Sequence, residues 1–148
     1  SFNANSRIKV NFFSRYVDYP TISDDSGLCI EALKNKPGIL SARLAKKHGS
    51  FFKAMKSILK KMKKIKNRKA VFVCSLSYKE KKGKVVTVEG KIDGKISKTI
   101  LGKKGFGYDP IFIPLKEKIT FGQMSNRKKI KMDHRFIAFQ KLRKKIKI

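Results

Sequence analysis

Apolar and polar residues along this 148-residue chain alternate with two different periods, and they divide it into helices and strands. Residues 4–16 place Ile8, Phe12 and Tyr16 four apart, which predicts one buried helix face, closed by Pro20. The SDDSG block that follows carries turn residues, and LCIEAL after it reads as a short strand. A Pro-Gly pair marks 34–38 as a turn. From 51 to 66, Phe51, Phe52, Met55, Ile58, Leu59, Met62 and Ile65 recur at helical spacing between lysines. Such a basic amphipathic helix suits a membrane surface in some proteins, but it reads here as a helix packed on a sheet with a solvated outer face.

A lysine-rich stretch at 60–69 gives way to AVFVCSLSY (70–78), which is rich in strand formers. EKKG turns the chain into KVVTVEGKI (84–92), so these runs predict two antiparallel strands. Asp93-Gly94 is a further turn signal before KISKTI. The last segment, from Asp133, is predicted helical with Phe136, Ile137, Phe139 and Leu142 facing inward. No repeat and no linker interrupts the pattern, which predicts one domain of the α/β or α+β class.

Composition narrows the picture. Hydrophobic residues make up 41% and charged residues 32%, enough apolar material for a folded core. No apolar run approaches the ~20 residues of a membrane span, and the start lacks a signal-peptide pattern, so a cytoplasmic protein is expected. Cys29 and Cys74 stand singly in apolar surroundings, which predicts reduced, buried thiols.

The formal charge of +28 would suit a polyanion partner. Of the 38 basic residues only seven are Arg (7, 15, 43, 68, 127, 135, 143), leaving 38 − 7 = 31 Lys. Bidentate readout of phosphates and bases favours Arg. The lysine excess, alongside abundant Ile, Asn and Phe, reads better as AT-rich coding than as a nucleic-acid surface. It still creates a field that steers anionic substrates.

Three blocks carry candidate chemistry. Asp24 and Asp25 are adjacent acids followed by Ser26 and Gly27. Such a pair can hold Mg²⁺ or orient an attacking water; taken alone, it reads better as a solvent-exposed Asx turn. GFGYDP (105–110) joins two glycines to aromatics that could stack on a flat base, or simply form a turn with two core rings. Lys129, His134 and Arg135 form the third group. Asp133 is placed to cap a helix whose first turn carries His134 and Arg135, where unpaired N–H groups favour an anion.

In sequence order these blocks read NSRIK (5–9), SDDSGL (23–28), PGILSAR (37–43), GFGYDPIF (105–112), TFGQM (120–124), Lys129 and DHR (133–135). The set resembles the inosine/xanthosine triphosphate pyrophosphatase family, the ITPase family, over essentially the whole chain. The resemblance implies an α/β fold with a mixed central β-sheet flanked by helices, ITPase-like and Maf-related, as a single domain over 1–148. It implies Mg²⁺-dependent hydrolysis of non-canonical purine nucleoside triphosphates (ITP, dITP, XTP) to the monophosphate and pyrophosphate.

By the same resemblance Asp25 is the general base and the metal-associated carboxylate, supported by Asp24. Ser26, Phe106, Gly107, Tyr108, Asp109, Lys129, His134 and Arg135 contact substrate, with Phe106 the stacking residue. Lys9 is a phosphate-side cation, and a homodimer without membrane or nucleic-acid partners is expected. The chain departs from the family pattern at Asp133, where a serine is usual, and at Gln123 and Ala4, where acids are common. Nothing in it corresponds to the family's opening strand and Thr-x-Asn-x-x-Lys phosphate loop, so the chain is expected to be N-terminally truncated. The alternatives are a basic RNA- or ribosome-binding module and an inactive fragment of the enzyme.

Overall fold

The strand-forming runs assemble one five-stranded sheet in the order β2-β1-β3-β4-β5. It is seen in a computed structural model that describes residues 1–146. Three strands are long: β1 (Thr21–Ile30), β3 (Lys69–Lys79) and β4 (Val86–Ile96). The edges are short, β2 (Lys36–Pro37) pairing antiparallel with β1 and β5 (Phe112–Pro114) pairing antiparallel with β4. In register, Cys29 faces Pro37 on one edge and Ile96 faces Phe112 on the other. The helices are α1 (Phe2–Phe13), α2 (Ser41–His48), α3 (Phe51–Met62), α4 (Asn126–Lys129) and α5 (His134–Ile146). This is the expected α/β arrangement of a central sheet with flanking helices. Among the described residues no helix is long and apolar enough to cross a membrane.

The chain forms two compact units and passes between them within β1, β3 and β4 and again between Met132 and Asp133. The first holds Ser1–Ser26, Val73–Lys91 and the segment from Asp133 onward. Its core joins Cys74, Leu76 and Val88 of the strands to Ala138 and Leu142 of α5. Helix α1 buries Ser6 and Val10, one turn apart. The predicted face is corrected: Ile8, Phe12 and Tyr16 are 67%, 50% and 71% exposed. The Ser6 hydroxyl bonds to those of Ser75 and Ser77 on β3, and this polar contact selects the inward face instead.

Helix α5 is capped as expected, the Asp133 carboxylate accepting the Phe136 N–H at 2.8 Å. Its buried residues are His134, Ala138 and Leu142; Leu142 points inward as predicted, whereas Phe136 and Phe139 are exposed. The cause is Gly90 on β4. A Cβ there would collide with the His134 carbonyl and the Ala138 N–H. Backbone therefore lies directly on backbone, and only a small residue such as Ala138 fits at the contact.

The second unit comprises Gly27–Phe72 and Ile92–Met132. Phe72, Phe112 and Phe121 pack together at its centre, with ring centroids 4.5, 5.4 and 6.3 Å apart. Leu28, Ile30, Met55, Ile58 and Met62 surround them. Helix α3 opens on Ser50, whose hydroxyl accepts the Lys53 N–H. It ends at Met62, where Arg68 straps it down by donating to the carbonyls of Met62, Ile96 and Ser97.

Two predicted turns are absent. SDDSG runs extended inside β1, and Asp93-Gly94 lies inside β4. Both glycines mark close approach instead: a Cβ on Gly27 would meet Gly38 and Ser41, and one on Gly94 would meet Ile113 and the Phe112 ring. The turn at 34–38 is present, with Lys34 and Asn35 at positive φ.

Candidate active site

In the first unit the extended course of β1 sends successive side chains to opposite faces. Asp25 is 14% exposed and held at both oxygens. Lys9 Nζ donates to Oδ1 at 2.9 Å and Asn5 Nδ2 donates to Oδ2 at 3.0 Å. Lys9 also donates to the Asp24 carbonyl at 2.9 Å. Asn5 and Lys9 lie four apart on α1, so one helix face delivers both donors. Lys9, expected beside phosphate, here orients the carboxylate. Asn5 had only a place in a motif, although its spacing from Lys9 was the signal for a shared target.

Asp24 points to the other face. Its Oδ2 accepts the Ser26 hydroxyl at 3.1 Å and faces Arg135 at 3.5 Å. Both charged side chains are about half exposed, at 48% and 46%, so this loose pair contributes roughly 0–1 kcal/mol. Cys74 lies beside the same group. Burial pushes its thiol pKa up, opposed more weakly by a hydrogen bond with Ser26. His134 is buried in the first turn of α5, while Arg135 stays accessible. Asp24, Asp25, Ser26, His134 and Arg135 thus all belong to this unit.

In the second unit the GFGYDP loop is built from the inside. Gly105 and Gly107 take φ of +77° and +64°, a region that disfavours side chains. Asp109 is 2% exposed. Its Oδ2 accepts the Phe106 N–H at 2.6 Å and pairs with Lys129 Nζ at 2.8 Å. A Cβ on Gly105 would strike that same oxygen. Tyr108 is also buried, donating its hydroxyl to the Ser41 carbonyl at 2.8 Å; burial lifts its pKa to about 12.

Tyr108, Asp109 and Lys129 therefore hold the loop from beneath. Phe106 is what it displays, 65% exposed. Phe51, at the start of α3, meets Phe106 and Tyr108 edge-on at 5.1 and 5.2 Å. Its role in steadying the loop was hidden in the sequence, where it reads as one more apolar helix position.

Among the described residues no three His, Cys, Asp or Glu side chains gather as a ligand set for a metal. Mg²⁺ is usually held by one or two carboxylates together with substrate phosphates and waters, and the Asp25 carboxylate fits that donor chemistry. Each Asp25 oxygen gives one lone pair to its donor, Asn5 or Lys9, and keeps another, so the carboxylate would still have capacity to hold a cation.

Comparison with known proteins leads to the same relatives as the motifs. The chain is 41% identical over 147 residues to the dITP/XTP pyrophosphatase of Dictyoglomus thermophilum, covering 97% of this chain and 71% of that protein. It is 37% identical over 129 residues to the dITP/XTP pyrophosphatase of Clostridium tetani, covering 87% of this chain and 64% of the relative, just under two thirds. The solved Ham1 protein of Staphylococcus aureus superposes with a TM-score of 0.92 at 33% identity, over 99% of this chain and 77% of that one. With residues 1–145 matching the Ham1 family, the chain belongs to that family.

Proposed function

We propose that this protein hydrolyses non-canonical purine nucleoside triphosphates, ITP, dITP and XTP, to the monophosphate and pyrophosphate, clearing them from the nucleotide pool. The observation that carries the reading is the clamp on Asp25, whose two oxygens are fixed by Asn5 and Lys9. Its support is the similarity to relatives named as dITP/XTP pyrophosphatases.

An ionised carboxylate held at both oxygens is poised to take a proton from water attacking the α-phosphate. Lys9 and Asn5 fix its direction, so the proton is accepted without prior reorganisation. Mg²⁺, when bound at Asp25, supplies charge neutralisation on the phosphate oxygens. Ser26 and Arg135 offer a hydroxyl and a guanidinium to the substrate, and His134 lies with Arg135 in the first turn of α5.

Phe106 presents a ring face to the purine, and the Gly107 backbone allows close approach. Tyr108, Asp109 and Lys129 act mainly by fixing that loop. Donors placed against a 6-keto oxygen would be left unpaired by the amino group of adenine, the kind of mismatch that discriminates strongly.

Replacing Asp25 tests the assignment. Asp25→Asn keeps the shape but removes the proton acceptor, and should lower kcat for ITP by ~10² or more, given typical general-base contributions of 10²–10⁴. Pyrophosphate release followed by a coupled assay reads this directly. Turnover near the wild-type level in a folded Asp25→Asn protein would remove Asp25 from the mechanism.

A further inference from the structure

Where α1 meets β3, the contact is made by hydroxyl groups. Ser6, Ser75 and Ser77 are each fully buried. Ser6 Oγ lies 2.9 Å from Ser75 Oγ and 2.8 Å from Ser77 Oγ, and 3.1 Å from the Asn3 carbonyl. Ser77 Oγ continues to Thr87 Oγ1 on β4 at 2.9 Å. The Ser6 carbonyl in turn accepts the Ser23 hydroxyl of β1 at 2.6 Å. One residue thus ties α1 to the catalytic strand and to β3.

Apolar packing is non-directional and tolerates small slides of a helix over a sheet. Hydrogen bonds lose strength steeply with distance and angle. The cluster therefore fixes both the rotation and the register of α1. Those two variables decide whether Asn5, the neighbour of Ser6, and Lys9, three residues on, reach Asp25. Ser75 and Ser77 are two apart and so share a strand face, while Ser23 is two residues before Asp25 on β1. The anchoring bonds tie α1 to β3 through the Ser6 hydroxyl and to β1 through its carbonyl, and the clamp joins the same helix to the same β1, offset by a residue or two.

We propose that Ser6, with Ser75 and Ser77, is a positioning residue for Asp25, setting the helix that carries Asn5 and Lys9. The catalytic consequence rests on the reading of Asp25 as the base; the geometric one does not. The test therefore has two arms.

The first is the ¹⁵N side-chain amide signal of Asn5 by NMR, located through its change in Asp25→Asn. In Ser6→Ala, and in a Ser6→Ala/Ser75→Ala/Ser77→Ala variant, that signal should move toward the position of a free amide. The triple variant removes all three hydroxyls together, leaving none of the trio facing a lost partner and, of the other hydroxyls, only that of Thr87 without its Ser77 contact, so it keeps the test open if the single variant folds poorly. The second arm is kinetic. Both variants should lose about ten-fold in kcat for ITP, since sub-ångström misplacement is costly to catalysis. KM should stay within about two-fold, as expected for a loss made only in the transition state.

A folded variant with an unmoved Asn5 signal would overturn the proposal. So would a moved signal with unchanged kcat, provided Asp25→Asn is inactive. Should Asp25→Asn itself retain turnover, the reading of Asp25 as base fails separately, and the NMR arm alone decides whether the hydroxyls position the carboxylate.

Discussion

Asp24 and Asp25 are neighbours of identical chemistry that meet opposite surroundings. Strand alternation turns Asp25 to Asn5 and Lys9 and leaves Asp24 half exposed beside Ser26 and Arg135. Two acids of one type thereby stand in distinct environments. Tyr108 makes the parallel case for the loop, being buried with its hydroxyl on the Ser41 carbonyl. Its pKa stands at about 12 in the folded protein, against about 10 for a free tyrosine. Between those values the unfolded chain has released the phenolic proton and the folded chain retains it, so rising pH favours unfolding. The stabilisation is complete below the unfolded pKa and is lost as pH climbs through the folded one. We expect the melting temperature of Tyr108→Phe to fall less steeply than wild type between about pH 10 and 12. Equal slopes would show that this hydroxyl is not buried.

At the scale of elements, glycines decide which faces meet. Gly90 lets α5 lie against β4 with Ala138 at the contact, and this sets the angle from which α5 presents His134 and Arg135. Gly90→Ala would force the helix backbone outward. Overpacking of this kind costs about 1–3 kcal/mol, and each kcal/mol lowers Tm by roughly 2–4 °C in a chain of this size. Thermal unfolding checks this, and an unchanged Tm would mean that α5 has room to move.

The same glycines mark where the sequence was misleading. The turn chemistry of SDDSG and Asp93-Gly94 is real, but the chain stays extended because Gly27 and Gly94 let neighbouring backbone approach. Strand-forming composition found β3, periodicity found α3, and capping chemistry found Asp133 at the start of α5. Periodicity chose the wrong face of α1, because Ser6, Ser75 and Ser77 carry no hydrophobic signal and still form the buried contact.

Across the whole molecule, two cores organise two groups of candidate site residues. The first unit holds the clamped Asp25 with Asp24, Ser26, His134 and Arg135; the second holds the loop that displays Phe106. The family was legible from the conjunction of its short blocks, each weak alone. Which residues of those blocks face outward was not legible. Tyr108, Asp109 and Lys129 turn inward because one buried carboxylate gathers the Phe106 N–H and the Lys129 ammonium, a contact between segments that no local pattern encodes. The net charge of +28, the loudest feature of the composition, bears on the field around the molecule and not on how the chain folds.

The most direct test is pyrophosphate release from ITP and from ATP, each with Mg²⁺ and with EDTA. We expect metal-dependent release that strongly favours ITP, with the nucleoside monophosphate as the other product. Release of orthophosphate instead, equal turnover of ATP, or turnover unaffected by EDTA would contradict it.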